Sequence, residues 1–237
     1  PMTITEWGYC YPNPRNFEGP FLVAAYSALQ DFSGLWQFCY SHAANPEIPK
    51  PFGSFDFHAH PVMKAAVRAG ALMFLRGDVR TAPSSVSGTP EGIRAAGRTI
   101  ALVTKIGRSI PGRKAPGVFL ALPGERTENT ASSVIRVKNT SDALRKLTET
   151  GTIPKHCVDL RNGISRSETG ELILNRKQGN FRVVAPLCEA LLMKAGQTLS
   201  GDFLSVRNGG VFAAFFAASL DRRPLKESGR ILLMHLT

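Results

Sequence analysis

Long apolar runs, paired cysteines and acidic charge are what this sequence has least of. No hydrophobic stretch approaches the roughly 18 residues that span a bilayer. The longest candidates, Val211–Leu220 and Gly70–Leu75, fall well short, so no membrane segment is expected. Residues 1–16 carry neither a basic n-region nor an apolar h-region, so they do not read as a secretory leader. Pro1 reads as a processing site, an artificial boundary or a truncation through which a leader could have been lost, and localisation is left unknown. The four cysteines (10, 39, 157 and 188) are widely spaced and form no CxxC. They read as free buried thiols, with disulfides as the alternative, so they assign no redox compartment. HExxH, a phosphate-cradling Gly-rich loop and GxSxG are also missing. "RNGG" (207–210) reads as a hairpin turn, and Ser219–Arg223 lacks the context of a serine nucleophile. Neither an internal repeat nor a low-complexity tract is present.

Acidic residues number 18 against 29 Lys and Arg, giving a net charge of +11. Within residues 1–80 six basic groups balance six acidic ones, so the whole excess lies beyond Arg80. That asymmetry suggests two units with different surfaces. The basic residues are scattered without interleaved aromatics, so they read as a solvated face rather than a nucleic-acid surface. What is present is enough for a core: 43% of residues are hydrophobic and 20% charged, which argues against bulk disorder.

Residues 3–7 read as a short strand and "YPNPRN" (11–16) as a loop. "FEGPFLVAAYSALQDF" (17–32) predicts a helix with Pro20 in its first turn and a stripe of Leu22, Ala25, Tyr26 and Leu29. The apolar run Leu35–Tyr40 suits a strand buried on both sides, as in parallel sheets. After the Pro-rich loop 43–55, "HAHPVMKAAVRAGALMFLRGD" (58–78) predicts a helix begun by Pro61 and ended at Arg76-Gly77, with Asp56 expected as its cap. Strand, helix, strand, helix implies βαβ connectivity and a parallel sheet. Beyond a linker-like stretch, 80–92, short strands are expected at 99–104, 118–122, 133–138, 202–206, 211–220 and 230–236. A hairpin is expected within 171–186, and only "SDALRKLTE" (141–149), opening on a Ser/Asp cap, reads as helical. Many short strands with Gly/Asn turns argue for a β-sandwich.

Glu6 ends the first strand and precedes a loop, where barrels of eight βα units place functional side chains. Trp7, Tyr9 and Tyr11 beside it are the flat aromatic surfaces on which sugar rings stack. His58 and His60 form an HxH pair without a third ligand of fixed geometry and read as loop and helix-entry histidines. Cys39 and His42 suggest a thiol nucleophile, but Cys39 is expected inside an apolar strand, where thiols are inert. No metal and no cofactor are expected.

At these residues the chain resembles a known family. "TEWGYCYPNPRNFEGPFLVAAYSALQDFSGLWQFCYSH" (5–42) and "FDFHAHPVMKAAVRAGALMFLRGDV" (55–79) look like the last two βα units of retaining glycoside hydrolases, of the clan that includes cellulases and β-galactosidases. "SETGELILNRKQGNFRVVAP" (167–186) and "FAAFFAASLDRRPLKESGRILL" (212–233) are similar to the β-sandwich that follows the barrel in some members. Residues 105–158 match nothing in that pattern. The resemblance implies an α/β plus all-β chain, with a partial (β/α)8 barrel over residues 1–82 and an antiparallel β-sandwich accessory domain over 83–237. It implies Glu6 as the nucleophile, with Trp36 and Tyr40 joining Trp7, Tyr9 and Tyr11 as sugar contacts. It also implies a proton-donor glutamate on a fourth strand, for which this chain has no segment. Glu18, Asp31 and Asp56 are poor substitutes by position.

The expected function is therefore the C-terminal portion of a retaining glycosidase, inactive alone. Its expected partners are an oligo- or polysaccharide substrate and a complementary barrel fragment or a second copy of the chain. Two alternatives stand beside it: a non-catalytic β-sandwich that binds carbohydrate or protein, with a vestigial barrel segment, and a polyanion-binding module that uses the basic half.

Overall fold

A computed structural model of the chain describes residues 2–48, 50, 53–107, 117–127 and 133–237. Along it run β1 (Thr3–Trp7), α1 (Glu18–Leu29), β2 (Gly34–Gln37), α2 (Pro61–Arg76), β3 (Ser85–Gly88), α3 (Pro90–Ala96), α4 (Arg98–Ala101), β4 (Lys105–Ile106), β5 (Val118–Ala121), β6 (Ser133–Arg136) and α5 (Thr140–Glu149). A 3-10 turn, Lys155–Cys157, leads into β7 (Val158–Asp159), β8 (Ile164–Arg166) and β9 (Leu172–Asn175). The chain finishes with β10 (Asn180–Val184), β11 (Cys188–Met193), β12 (Thr198–Ser200), β13 (Ser205–Arg207), β14 (Ala213–Ser219) and β15 (Ile231–Leu236). The fold is mixed α/β with both parallel and antiparallel sheets. It divides into two compact units, Pro1–Arg80 with Gln178–Thr237, and Thr81–Lys177. The family resemblance implies one boundary near residue 82 and a single β domain after it. No described helix is long and apolar enough to cross a membrane.

In the first unit β1 and β2 pair in parallel, Thr3 opposite Gly34 and Ile4 opposite Leu35, joined through α1 as a βαβ turn of chain. Helix α1 is apolar nearly all round, so it is buried on more than the one stripe its spacing suggests. Phe21, Ala24, Ala25, Ala28 and Leu29 are all buried. Its aromatics meet the antiparallel strands: Phe21 lies 5.6 Å from Phe216, and Tyr26 stacks at 5.5 Å on Phe181. Burying Phe21 completely contributes about 1.5–3 kcal/mol. Helix α2 starts at Pro61 and ends at Gly77, whose φ of 67° is the left-handed conformation that glycine adopts without a Cβ clash. Its crossing with α1 is close: a Cβ on Gly70 would stand 2.7 Å from the Pro20 carbonyl oxygen. The antiparallel order is β15-β14-β11-β10, and the inner strands β11 and β14 bury residues on both faces.

The second unit is built on a four-stranded parallel sheet in the order β4-β3-β5-β6. Helices α3, α4 and α5 contribute Ala96, Ile100, Leu144 and Leu147 to a core with Val86, Leu120 and Ile135. The antiparallel strands β7, β8 and β9 follow.

Several expectations are corrected. The strands between 85 and 136 are parallel, not part of an antiparallel sandwich, and α3 and α4, which carry the chain from β3 to β4, are too short to have been read as helices beforehand. Residues 99–104 are not a strand. Arg98–Ala101 is helical and only Lys105–Ile106 pairs, since one turn of helix satisfies the same apolar spacing as a short alternating run. Helix α5 is capped by Asn139, which accepts from Asp142 N at 3.0 Å, rather than by the following Ser or Asp. Helix α2 is capped by His60, whose Nδ1 accepts from Met63 N at 3.3 Å, not by Asp56. Strand β2 stops at Gln37, three residues early.

Candidate functional site

Both parallel strands end on the same side, and the loops that leave them are bound together there. Phe38 N donates to Trp7 O at 2.7 Å, Tyr11 N to Ser54 O at 2.6 Å, and Cys39 N to Phe55 O at 3.3 Å. This C-terminal rim is where parallel sheets ordinarily place their chemistry, because the loops there are free to carry side chains. Glu6 lies on it, exposed, with no side-chain hydrogen bond or ion pair to another described residue.

The aromatic residues divide. Tyr11 and Tyr40, each 53% exposed, stand on the two rim loops. Tyr40 meets Phe57 edge-on at 5.5 Å. Tyr9 lies against the first turn of α1, its ring filling the space a Cβ on Gly19 would need. Burial, and then the charge of Glu18, raise its phenol above the usual range, with Arg15 pulling the other way. Trp7 is half-buried and its indole N–H has no hydrogen-bond partner among the described residues. Trp36 is not brought to the rim. Its ring folds back over Gly34, which has no side chain to exclude it. There it lines a groove of about 360 Å³ with Trp7, Ala24, Ala71, Phe74 and Leu75. Leu35–Tyr40 was expected to be covered on both faces, yet Trp36 is 56% exposed.

The carboxylates considered as a second acid are committed elsewhere. Glu18 pairs with Arg15 at 2.6 Å. Asp31 follows α1 and precedes β2, at the opposite end of the strands. Asp56 is fully buried in a cluster that sequence reasoning did not assemble: His42 Nδ1 stands 2.5 Å from Asp56 Oδ1, and the Cys39 thiol donates to the same oxygen at 3.3 Å. The sulfur is 3.1 Å from His42 Nδ1 and 3.7 Å from Nε2. Asp56 also accepts from His42 N at 3.1 Å and Gly53 N at 3.0 Å. Cys39 thus lies just past the strand, not within it. The two histidines of the HxH pair are structural: His58 is buried with Nε2 3.1 Å from Ile48 O, and His60 caps α2. The one hint in the sequence was the C-x2-H spacing of Cys39 and His42. Asp56, fourteen residues beyond His42 across a proline-rich loop, left none.

This is not a nucleophile relay. A relay needs the carboxylate on one ring nitrogen and the thiol on the other, whereas here both lie nearest Nδ1. Loss of water, and then the hydrogen bond to Asp56 and its charge, push the Cys39 thiol from 9.0 to about 11. At pH 8 the metal-free protein should therefore react with iodoacetamide at Cys39 about 100-fold more slowly than an ordinary thiol, because the thiolate is the reacting form. The exposed Cys10 should be modified first and the buried Cys157 and Cys188 last. Peptide mass mapping over time checks this order, and Cys39 reacting as fast as Cys10 contradicts it.

Comparison with known protein families, with curated proteins and with solved structures finds no match to this chain.

Proposed function

We propose that residues 1–80 are the last two βα units of a (β/α)8-barrel retaining glycoside hydrolase and that Glu6 is its attacking carboxylate. One observation carries this reading: Glu6 is exposed, and unpaired among the described residues, at the C-terminal end of a strand that pairs in parallel with β2 through a helix. Among the described residues no cation pairs with that carboxylate, which leaves it free to act on a substrate held at the strand ends in this reading. The antiparallel strands beyond residue 158 are the accessory β domain in this reading, and Tyr11 and Tyr40 are the rim aromatics best placed to stack on sugar.

Retention requires a second carboxyl group about 5–5.5 Å from the first, acting as acid and then base. None of Glu18, Asp31 and Asp56 is placed for that role, so in this reading the proton donor comes from further strands, in a longer polypeptide or a separate one. The same strands would extend the two-stranded parallel pair of β1 and β2, which is too few strands for a free-standing sheet of this class. The chain by itself is therefore expected to hydrolyse nothing.

The experiment is to treat the natural, fully assembled protein with a 2-deoxy-2-fluoroglycoside, which traps the glycosyl-enzyme ester of retaining enzymes. Peptide mapping should place the sugar on Glu6, in the fragment ending at Arg15. Glu6→Gln should abolish labelling and turnover. Labelling elsewhere, or hydrolysis that survives Glu6→Gln, rejects the assignment.

A further inference from the structure

We propose that Cys39, His42 and Asp56 form a binding site for a single zinc ion, on the loop that follows β2. Among the described residues they are the one group of three Cys, His, Asp or Glu side chains whose ligand atoms lie within 4.8 Å of one another. The argument stands on geometry and donor chemistry and does not depend on the glycosidase reading.

Three different donor atoms converge on one point. Oδ1 of Asp56, Nδ1 of His42 and Sγ of Cys39 are mutually 2.5, 3.1 and 3.3 Å apart. A sulfur, an imidazole nitrogen and a carboxylate oxygen together make the mixed donor set that zinc takes, whereas calcium and magnesium prefer oxygen alone. With zinc at its usual distances of about 2.0–2.3 Å, tetrahedral donors would be separated by about 3.3–3.6 Å. The cluster therefore has to open by a few tenths of an ångström at sulfur and by somewhat less than one between nitrogen and oxygen. His42 is placed to supply that movement: its side chain is 42% exposed, while that of Asp56 is fully buried and held by Gly53 N. The buried carboxylate is the fixed anchor and the imidazole swings onto the metal.

The arrangement also explains the loop. The described residues between Cys39 and Asp56 have little regular structure, yet the chain returns to the rim at Phe55 and Ser54. A zinc ion joining Cys39 and His42 to Asp56 would fasten both ends of that excursion. With three protein ligands, the fourth position stays open on the solvent side, where His42 is exposed, for water or for a hydroxyl group bound at the rim.

The test uses the tag-free full chain, stripped with EDTA and titrated with zinc alone against a chromophoric chelator, and in parallel with cobalt(II). One equivalent should bind. Cobalt should give the intense visible bands of a tetrahedral site and a thiolate-to-cobalt charge-transfer band. Cys39→Ser and His42→Ala should each weaken zinc binding by no less than the roughly 10- to 100-fold lost on removing even an outer-sphere partner. Cys39→Ser should also erase the charge-transfer band, while Cys10→Ser leaves every value unchanged. Because Asp56→Asn could unfold the loop, it is compared by thermal melting without metal. Zinc should raise the melting temperature of the parent and fail to raise that of folded Cys39→Ser. Binding of no metal, or full affinity in folded Cys39→Ser or His42→Ala, overturns the proposal.

Discussion

Replacing Glu189 by alanine is expected to lower the stability of the unit formed by residues 1–80 and 178–237 by about 3–5 kcal/mol. Glu189 sits on the inner strand β11, 1% exposed, in a row of residues that is otherwise apolar. A carboxylate there is tolerated because its oxygens are saturated by main-chain donors. Oε1 accepts from Asp202 N at 2.6 Å and Phe203 N at 2.8 Å, and Oε2 accepts from Leu204 N at 2.7 Å. Hydrogen bonds to a charged group contribute about 1.5–3 kcal/mol each, though not additively. These three bonds also order the turn between β12 and β13. Alanine would leave a cavity under that turn and three donors to find water. Glu189→Gln should fall between, since its Nε2 would face the Leu204 N–H donor to donor. Both tryptophans, Trp7 and Trp36, lie in this unit, so urea unfolding followed by their fluorescence reads the change directly. A midpoint unchanged in Glu189→Ala, at constant m, would show that the turn contributes nothing to the fold.

Arg76→Ala should cost a similar amount, about 3–5 kcal/mol, by a different route. Arg76 ends α2, and its guanidinium donates to Asp78 Oδ2 and to Ser219 O, each at 2.5 Å. That fastens the helix terminus to the end of β14. Asp78 is 4% exposed. Removing the arginine alone leaves that carboxylate buried without its cation, which is far more costly than the pair itself is stabilising. The double replacement Arg76→Met with Asp78→Leu should therefore be markedly more stable than Arg76→Ala. Urea midpoints of the single and double variants check this. A double variant as unstable as the single would mean that the contact to Ser219, not the ion pair, dominates.

The two replacements differ in how far the sequence could have suggested them. Arg76 and Gly77 were visible as a helix end because a basic last turn followed by glycine is a local signal. Glu189 lies in "CEALLM", a strand that the sequence reading did not single out, and only the return of residues 202–204 over it reveals its role. The same division runs through the candidate site. Glu6 at a strand tip, the rim loops with Tyr11 and Tyr40, and the helix begun by Pro61 were readable because each depends on neighbours within a few positions. Cys39, His42 and Asp56 were not, because two chain segments separated by a proline-rich excursion had to be folded onto one another first. Trp36 was misplaced because the alternation of a strand does not say whether a ring will lean forward to the rim or back over a glycine.

Sequence by itself determined the βαβα order of residues 1–80, the bounds of α2, and the positions of β5, β6, β9, β10, β14 and β15, since capping residues, prolines and periodic apolar spacing act over one or two turns. Tertiary structure alone decided that β3–β6 run parallel, that the chain's compact units are interleaved along it, and that a thiol, an imidazole and a carboxylate share one point. Strand direction and side-chain convergence depend on contacts between residues far apart in the chain, and local spacing carries no record of those.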